Sequence, residues 1–158
     1  MQKQSAGSCT ITFRINQRAP LIVVNGFVND KGPIDFIVDT GASLTMLSRE
    51  MAKRAGIRLD GKKAKAAGPD GAQTVTLVTV GLLTIGDIQV RNLKMAVMDF
   101  GLLNHYAQTK AEGILGFNFL KRFHTQINYA SRQICFSPAQ PQKRPGSPKR
   151  QRPARRAI

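Results

Sequence analysis

Residues 34–41 read Ile34-Asp35-Phe36-Ile37-Val38-Asp39-Thr40-Gly41. A strongly apolar run ends in a carboxylate, a small hydroxyl residue and glycine. Apolar surroundings raise the cost of ionising a carboxylate, so a chain rarely places one there without a partner. What pairs with Asp39 is the question that decides the reading. By chance alone Asp-Thr-Gly would occur in about 3% of chains of this length, so the tripeptide by itself says little. Its setting says more. It closes an apolar strand, and Ala42 and Ser43 follow it, small residues that leave space around the carboxylate. Later comes Gly113-Ile114-Leu115-Gly116, an apolar-apolar-Gly segment ahead of a short predicted helix.

Outward from this stretch, strand signals dominate. Cys9 to Asn16 alternates around Ile11, Phe13 and Ile15, as a half-buried strand does. Leu21 to Val28 and Ile34 to Val38 flank Asn29-Asp30-Lys31-Gly32, a hairpin turn. Ser48 is placed to cap a short helix with Glu50 in its first turn and Gly56 past its end. Met51, Ala52 and Ala55 would be its buried stripe. Residues 61–72 are polar and glycine-bearing, with a turn at Ala67-Gly68-Pro69-Asp70-Gly71. Strands are expected at 73–80, 82–85, 88–90 and 93–98, with Gly86-Asp87 as a hairpin turn. Residues 101–112 read as a loop and 117–122 as a short helix. A last hairpin joins 125–128 to 133–136 through Tyr129 to Arg132. About eight short strands and two short helices indicate an all-β fold, closed or sandwiched.

The chain has 158 residues, enough for one domain with one core. Its net charge of +15 is unevenly placed. From Pro138 to Ile158 there are seven Lys or Arg, five of the eight prolines and no acid. Such a tail cannot bury apolar surface and is expected to be disordered. Residues 1–137 carry 17 basic and all 9 acidic residues. No apolar run approaches a membrane span, and Met1 to Cys9 lacks the apolar centre of a signal peptide. A cytoplasmic protein is the default expectation. Cys9 and Cys135 have no metal spacing and are expected as free thiols in a reducing compartment.

The chain resembles the retropepsin-like aspartic proteases, especially their single-domain cellular and bacterial members. The likeness runs from about Leu21 to Phe136 and rests on three segments in order. These are Phe36-Ile37-Val38-Asp39-Thr40-Gly41-Ala42-Ser43, the hairpin from Gly68 to Gly71, and Gly113-Ile114-Leu115-Gly116-Phe117-Asn118-Phe119-Leu120. It implies a closed acid-protease β fold with one or two short helices, acting as a homodimer. The division that follows is residues 1–20 as an N-terminal strand and lead-in, 21–137 as the protease-like domain, and 138–158 as the tail.

Aspartic proteases use two carboxylates that share one proton across one water, because two like charges so close cannot both ionise. This sequence has nine acidic residues but one Asp-Thr-Gly. Asp35 is read as pointing to the opposite strand face. The second carboxylate is therefore expected from a second copy of the chain, across a two-fold axis. By the resemblance, Asp39 is the catalytic residue and Thr40 bonds across the dimer. Gly41, Ala42 and Ser43 support the loop, and Gly41 lets substrate backbone approach. Gly68, Pro69, Asp70 and Gly71 form a flap that closes over an extended peptide. Ile114, Leu115 and Gly116 lie beside the catalytic loop. No metal or cofactor is called for.

One departure from the retroviral pattern stands out. Where those enzymes pair an acidic residue after the catalytic loop with an arginine after the later glycine, this chain has Ser43-Leu44 and Phe117-Asn118. Asp70 at the flap tip reads as a turn former. His105 and His124 are isolated and read as surface residues. Cys9 and Cys135 fall in the first and last strands, which resemble the terminal strands that build the dimer sheet of retroviral relatives. The tail is open to three readings: a solvated extension, an electrostatic contact with nucleic acid or an anionic surface, or a Pro-rich ligand for a partner. The rival to a protease is a non-enzymatic dimerisation or peptide-binding module of the same fold, held by its basic tail.

Overall fold

The computed structural model describes residues 8–68 and 71–139. Its first two strands, β1 (Cys9–Thr12) and β2 (Arg14–Ile15), divide the single strand expected there. Phe13 lies between them, buried, with its amide donating to the Arg132 carbonyl at 2.9 Å. The chain changes sheets at that residue.

β3 (Ile22–Val28) and β4 (Lys31–Val38) form the next hairpin. Its turn is two residues, Asn29 and Asp30, both at positive φ (47° and 61°). Asn and Asp tolerate that conformation, and it matches the twist of the flanking strands. Asn29 also ties the turn down, accepting from the Leu82 amide at 3.0 Å and donating to the Ala55 carbonyl at 3.2 Å. β5 (Thr45–Ser48) runs into α1 (Arg49–Arg54). Ser48 caps this helix as expected, its hydroxyl accepting from the Met51 amide at 3.0 Å. Met51, Ala52 and Ala55 are buried.

β6 (Lys63–Gly68) is a strand where the sequence reads only as polar and glycine-bearing, and β7 (Gly71–Ile85) and β8 (Ile88–Met98) each join two strands expected separately. Arg91-Asn92 looks like a break, but Asn92 turns left-handed (φ 52°) and the strand continues on both sides of it. α2 (Gly101–Ala107) occupies what reads as a loop. It has no side-chain cap and buries no residue, so it lacks the signals that announce a helix. β9 (Gly113–Leu115), α3 (Phe117–Leu120), β10 (Phe123–Asn128) and β11 (Gln133–Pro138) complete the chain.

The large sheet runs β2-β3-β4-β9-β5-β8-β7-β6, and β3 also pairs with β7. Six strands, β3-β4-β9-β5-β8-β7, therefore close into a barrel, which removes their edges. Closure coincides with an irregular register in β3 between Gly26 and Val28, where that strand pairs with β4 and β7 together. Such irregularities bend a strand. β1, β11 and β10 form a separate three-stranded sheet.

Two apolar clusters result. The main one includes Phe13, Phe36, Leu47, Leu83, Met95, Phe119 and Phe136. The smaller joins Ile37, Phe100, Ala111 and Ile114, with Ala42, Met46 and Leu103 against it. β4 lies between them, Phe36 in one and Ile37 in the other, so its apolar run is continuous and not alternating. Cys9 stands opposite Phe136 and Cys135 opposite Thr10, so the two cysteines project from opposite faces, both as free thiols. No helix among the described residues is long and apolar enough to cross a membrane.

Candidate active site

Asp39 is the first residue beyond β4. β4 pairs in parallel with β9, Ile37 opposite Ile114 and Val38 opposite Leu115, and the ladder's next bond is from the Asp39 amide to the Leu115 carbonyl at 3.0 Å. Beyond it the chain turns on its own carboxylate. The Gly41 amide donates to Asp39 Oδ1 at 2.8 Å, and the Ala42 amide to the Asp39 carbonyl at 3.3 Å. Asp39, Thr40, Gly41 and Ser43 are exposed; Ala42 is half-buried against the smaller cluster.

The segment Ile114, Leu115 and Gly116 is buried behind this loop. A Cβ at Gly116 would lie 2.4 Å from the Leu44 carbonyl oxygen and 2.8 Å from that of Ala42. Only glycine lets the two loops lie back to back. The Phe117 amide then donates to the Ala42 carbonyl at 2.7 Å. Gly113 is held to glycine in the same way: a Cβ there would fall 2.2 Å from the Phe36 ring.

Where an ion pair is absent, a neutral clamp takes its place. Asn118 Oδ1 accepts from both the Thr45 amide (2.7 Å) and the Thr45 hydroxyl (2.8 Å). Its Nδ2 donates to the Lys94 carbonyl at 2.6 Å, and Thr45 Oγ1 accepts from the Gly116 amide at 3.2 Å. Thr45 and Asn118 were not among the expected site residues. The sequence signal available was an asparagine inside the apolar run Phe117-Asn118-Phe119-Leu120; that Thr45 is fully buried and is its partner only the fold shows. At the other end of the β4–β9 ladder, beside Asp35, Arg54 grips Glu112 through both nitrogens, at 2.6 and 3.0 Å. Those hydrogen bonds raise the Arg54 pKa above its ordinary value; burial opposes the shift and the charge of Glu112 adds to it. Glu112 is also fixed by its backbone, to Asp35 and to Ser48.

Asp35 needs a correction. It lies four residues before Asp39, and an even spacing puts both on the same side of a strand, not on opposite faces. Its carboxylate is engaged instead, by Arg14 and by Asn25 Nδ2 at 2.8 Å. Glu112 and Asp60 pair with Arg54 and Arg58. Asp99 accepts from the Gly101 amide, and Asp30 sits at the far end of β4. Among the described residues, Thr40 makes no side-chain hydrogen bond and no group of His, Cys, Asp or Glu is placed to hold a metal ion. His105 lies edge-on to Tyr106 in α2, and His124 is exposed on β10.

Gly68 and Gly71 face each other at the end of the β6–β7 ladder, with Gly71 at φ +96°. Pro69 and Asp70, the expected flap tip, lie outside the described residues, as does the tail from residue 140. A groove of about 610 Å³ lies away from Asp39, between the 56–62 loop and β7–β8, with Arg58, Lys62 and Lys94 around it.

A family model for aspartyl proteases matches residues 24–119, more than half of the chain, including the Asp39 loop, the Gly113–Gly116 segment and the Thr45–Asn118 clamp. The chain belongs to the aspartyl protease family. Among solved structures it is similar to a retropepsin-like aspartic protease from Rickettsia conorii, with a TM-score of 0.62 and 26% identity. That match covers 86% of this chain and 96% of the other. No curated protein sequence matches. The closed barrel, the short helices and the order of elements are thus those of a retropepsin-like fold. The family match ends within α3, so the three-stranded sheet falls outside it.

Proposed function

We propose that this chain is an aspartic endopeptidase whose active site is made by two copies of itself. One observation carries the reading. Asp39 is exposed on a loop held through the Asp39, Gly41 and Ala42 amides and the Ala42 carbonyl, while Asp35, Asp60 and Glu112 are taken up by arginines. Asp39 uses one oxygen to hold its own loop, and among the described residues its other oxygen, Oδ2, has neither a hydrogen-bond nor a salt-bridge partner.

In this reading two Asp39 carboxylates meet across a two-fold axis with one water and one shared proton between them. One carboxylate takes a proton from the water, whose oxygen bonds to the peptide carbonyl carbon. The other gives its proton to the carbonyl oxygen. The C–N bond then breaks and the leaving amine takes a proton. Thr40 would bond across the dimer, and the Gly68–Gly71 hairpin would close over the peptide. Gly41, Ala42 and Ser43 shape the loop; Ile114, Leu115 and Gly116 support it from behind. The test is cleavage of a peptide library by purified protein over acidic to neutral pH. Cleavage by the wild type that disappears in Asp39→Ala supports the reading. Cleavage that persists in that variant removes Asp39 from the mechanism. A wild type that cleaves nothing favours a peptide-binding module.

A further inference from the structure

We propose that the groove between the 56–62 loop and the β7–β8 hairpin binds an extended acidic peptide segment. The groove is separate from Asp39. That the segment belongs to a protein substrate rests on the protease reading above.

The groove holds a short free strand edge. β7 pairs with β6 as far as Thr76 and with β3 only from Leu83. Among the described residues, the stretch between has a strand partner on its β8 side alone. Lys94 of β8 stands opposite Thr79, and its carbonyl accepts from Asn118 Nδ2 at 2.6 Å. Asn118 also holds Thr45 of β5, so that carbonyl turns toward β5 and away from β7. In an antiparallel ladder the residue opposite then turns outward as well. Thr79 thus directs its amide and carbonyl away from β8, and it lines the groove. The walls on either side are fixed. The Leu77 amide donates to the Lys62 carbonyl at 2.9 Å, and the Asn29 side chain joins the Leu82 amide to the Ala55 carbonyl. The enclosed volume, about 610 Å³, is that of a ligand site.

Charge and lining say what fits. Arg58 is neutralised by Asp60 at 2.6 Å. Lys62 and Lys94 are exposed, and among the described residues neither pairs with an acid. Ile57, Leu77 and Val78 add aliphatic surface. Two unpaired cations, an apolar lining and a free backbone edge suit one kind of ligand. It has carboxylates on one face, apolar side chains on the other and a main chain to pair, as an added strand does. Nucleic acid would meet the cations, but no aromatic side chain lines the groove to stack a base. The net charge of +15 draws acidic partners to the whole molecule, and the groove gives them a defined seat. A substrate held there by one segment would reach Asp39 with another at a raised local concentration.

Full-length Asp39→Ala and a fluorescent six-residue peptide alternating Glu and Val test the site by fluorescence anisotropy. Binding should weaken as salt rises. Lys62→Glu combined with Lys94→Glu should weaken it by about tenfold or more. Lys110→Glu combined with Lys121→Glu makes the same charge change at exposed positions outside the groove and should alter it by less than about twofold. Circular dichroism checks that the variants fold. N-methylation of alternate peptide residues should weaken binding in one of its two phases, because only one set of amides meets β7. No binding at low salt, or equal loss in both pairs of variants, overturns the groove. Tighter, groove-dependent binding of a single-stranded oligonucleotide gives it to nucleic acid and overturns the peptide. Indifference to N-methylation overturns the strand-like seat. In the wild type, an acidic extension on a cleaved peptide should lower KM with kcat unchanged, and the Lys62→Glu, Lys94→Glu variant should lose that gain. A wild type that cleaves nothing while the peptide binds removes the protease reading and keeps the groove. Cleavage indifferent to the extension keeps Asp39 and overturns substrate capture by the groove.

Discussion

The β7–β8 hairpin and the loop after β4 are finished in different ways. Along the hairpin, residues pair from Thr76 opposite Val97 to Ile85 opposite Ile88, and Val80, Leu83, Leu93 and Met95 are buried between barrel walls. Everything that region needs is in the chain. The Asp39 loop is also tied down, by the Leu115 carbonyl, the Ala42 carbonyl and its own carboxylate. Yet its side chains Asp39 and Thr40 face outward. The hairpin stabilises the fold; the loop uses the fold to hold polar groups in place. Substitutions should therefore divide into those that change activity alone and those that change stability.

The largest effect expected is at Asp39. Asp39→Asn should lower peptide cleavage by about 10³-fold or more, the scale of a lost acid–base group. Its stability should change by less than about 0.5 kcal/mol, because the site is exposed and the amide oxygen can still accept from the Gly41 amide. Initial rates and a thermal melt measure the two quantities. A large fall in melting temperature would erase the distinction between loop and hairpin.

Leu83→Ala should show the reverse. Leu83 is fully buried in the main cluster, so the loss should be about 2–5 kcal/mol in urea unfolding. Activity per folded molecule should be unchanged. If instead it drops at a concentration of denaturant where the chain is folded, the hairpin takes part in the site.

Thr45→Val lies between these extremes. It removes the hydroxyl shared by Asn118 Oδ1 and the Gly116 amide and keeps the shape. Leaving the buried Gly116 amide without that acceptor should cost about 1–3 kcal/mol. Because Gly116 backs the Asp39 loop, kcat should fall as well, and Thr45→Ser should restore both. A loss of stability with kcat untouched would place the clamp with the barrel wall.

The Asp-Thr-Gly loop and Gly113–Gly116 were legible in the sequence because each announces itself locally. An apolar run ends on a carboxylate, and glycines recur where backbones must touch. The Ser48 cap and the terminal hairpin were legible for the same reason. The Thr45–Asn118 clamp was not, since its members are 73 residues apart and meet only after β5 and β9 have paired. Nor was the parallel pairing of β4 with β9, on which the position of Asp39 depends. α2 left no trace because it has neither cap nor buried stripe. The even spacing of Asp35 and Asp39 was legible, and was misread; what sets Asp35 aside is Arg14 and Asn25, which only the fold reveals.

The smallest effect expected tests how the loop's neighbour is held. Arg54 and Glu112 form a two-bond pair at the entrance to β9, but their side chains are 53% and 26% exposed. Pairs this open to solvent contribute about 0.2–1 kcal/mol, less as salt rises. The Glu112 backbone keeps its place without the pair, donating to the Asp35 carbonyl at 3.0 Å and accepting from the Ser48 amide at 2.9 Å. A double-mutant cycle of Arg54→Ala and Glu112→Ala, by urea unfolding at low and high salt, should therefore give a coupling below about 1 kcal/mol that shrinks with salt. Cleavage should be close to that of the wild type. A coupling well above that range, insensitive to salt and accompanied by lost activity, would mean that a side-chain clamp sets the position of β9. The Asp39 loop would then depend on an exposed ion pair, whereas the hairpin depends on burial, and the contrast between the two regions would be sharper than the backbone bonds suggest.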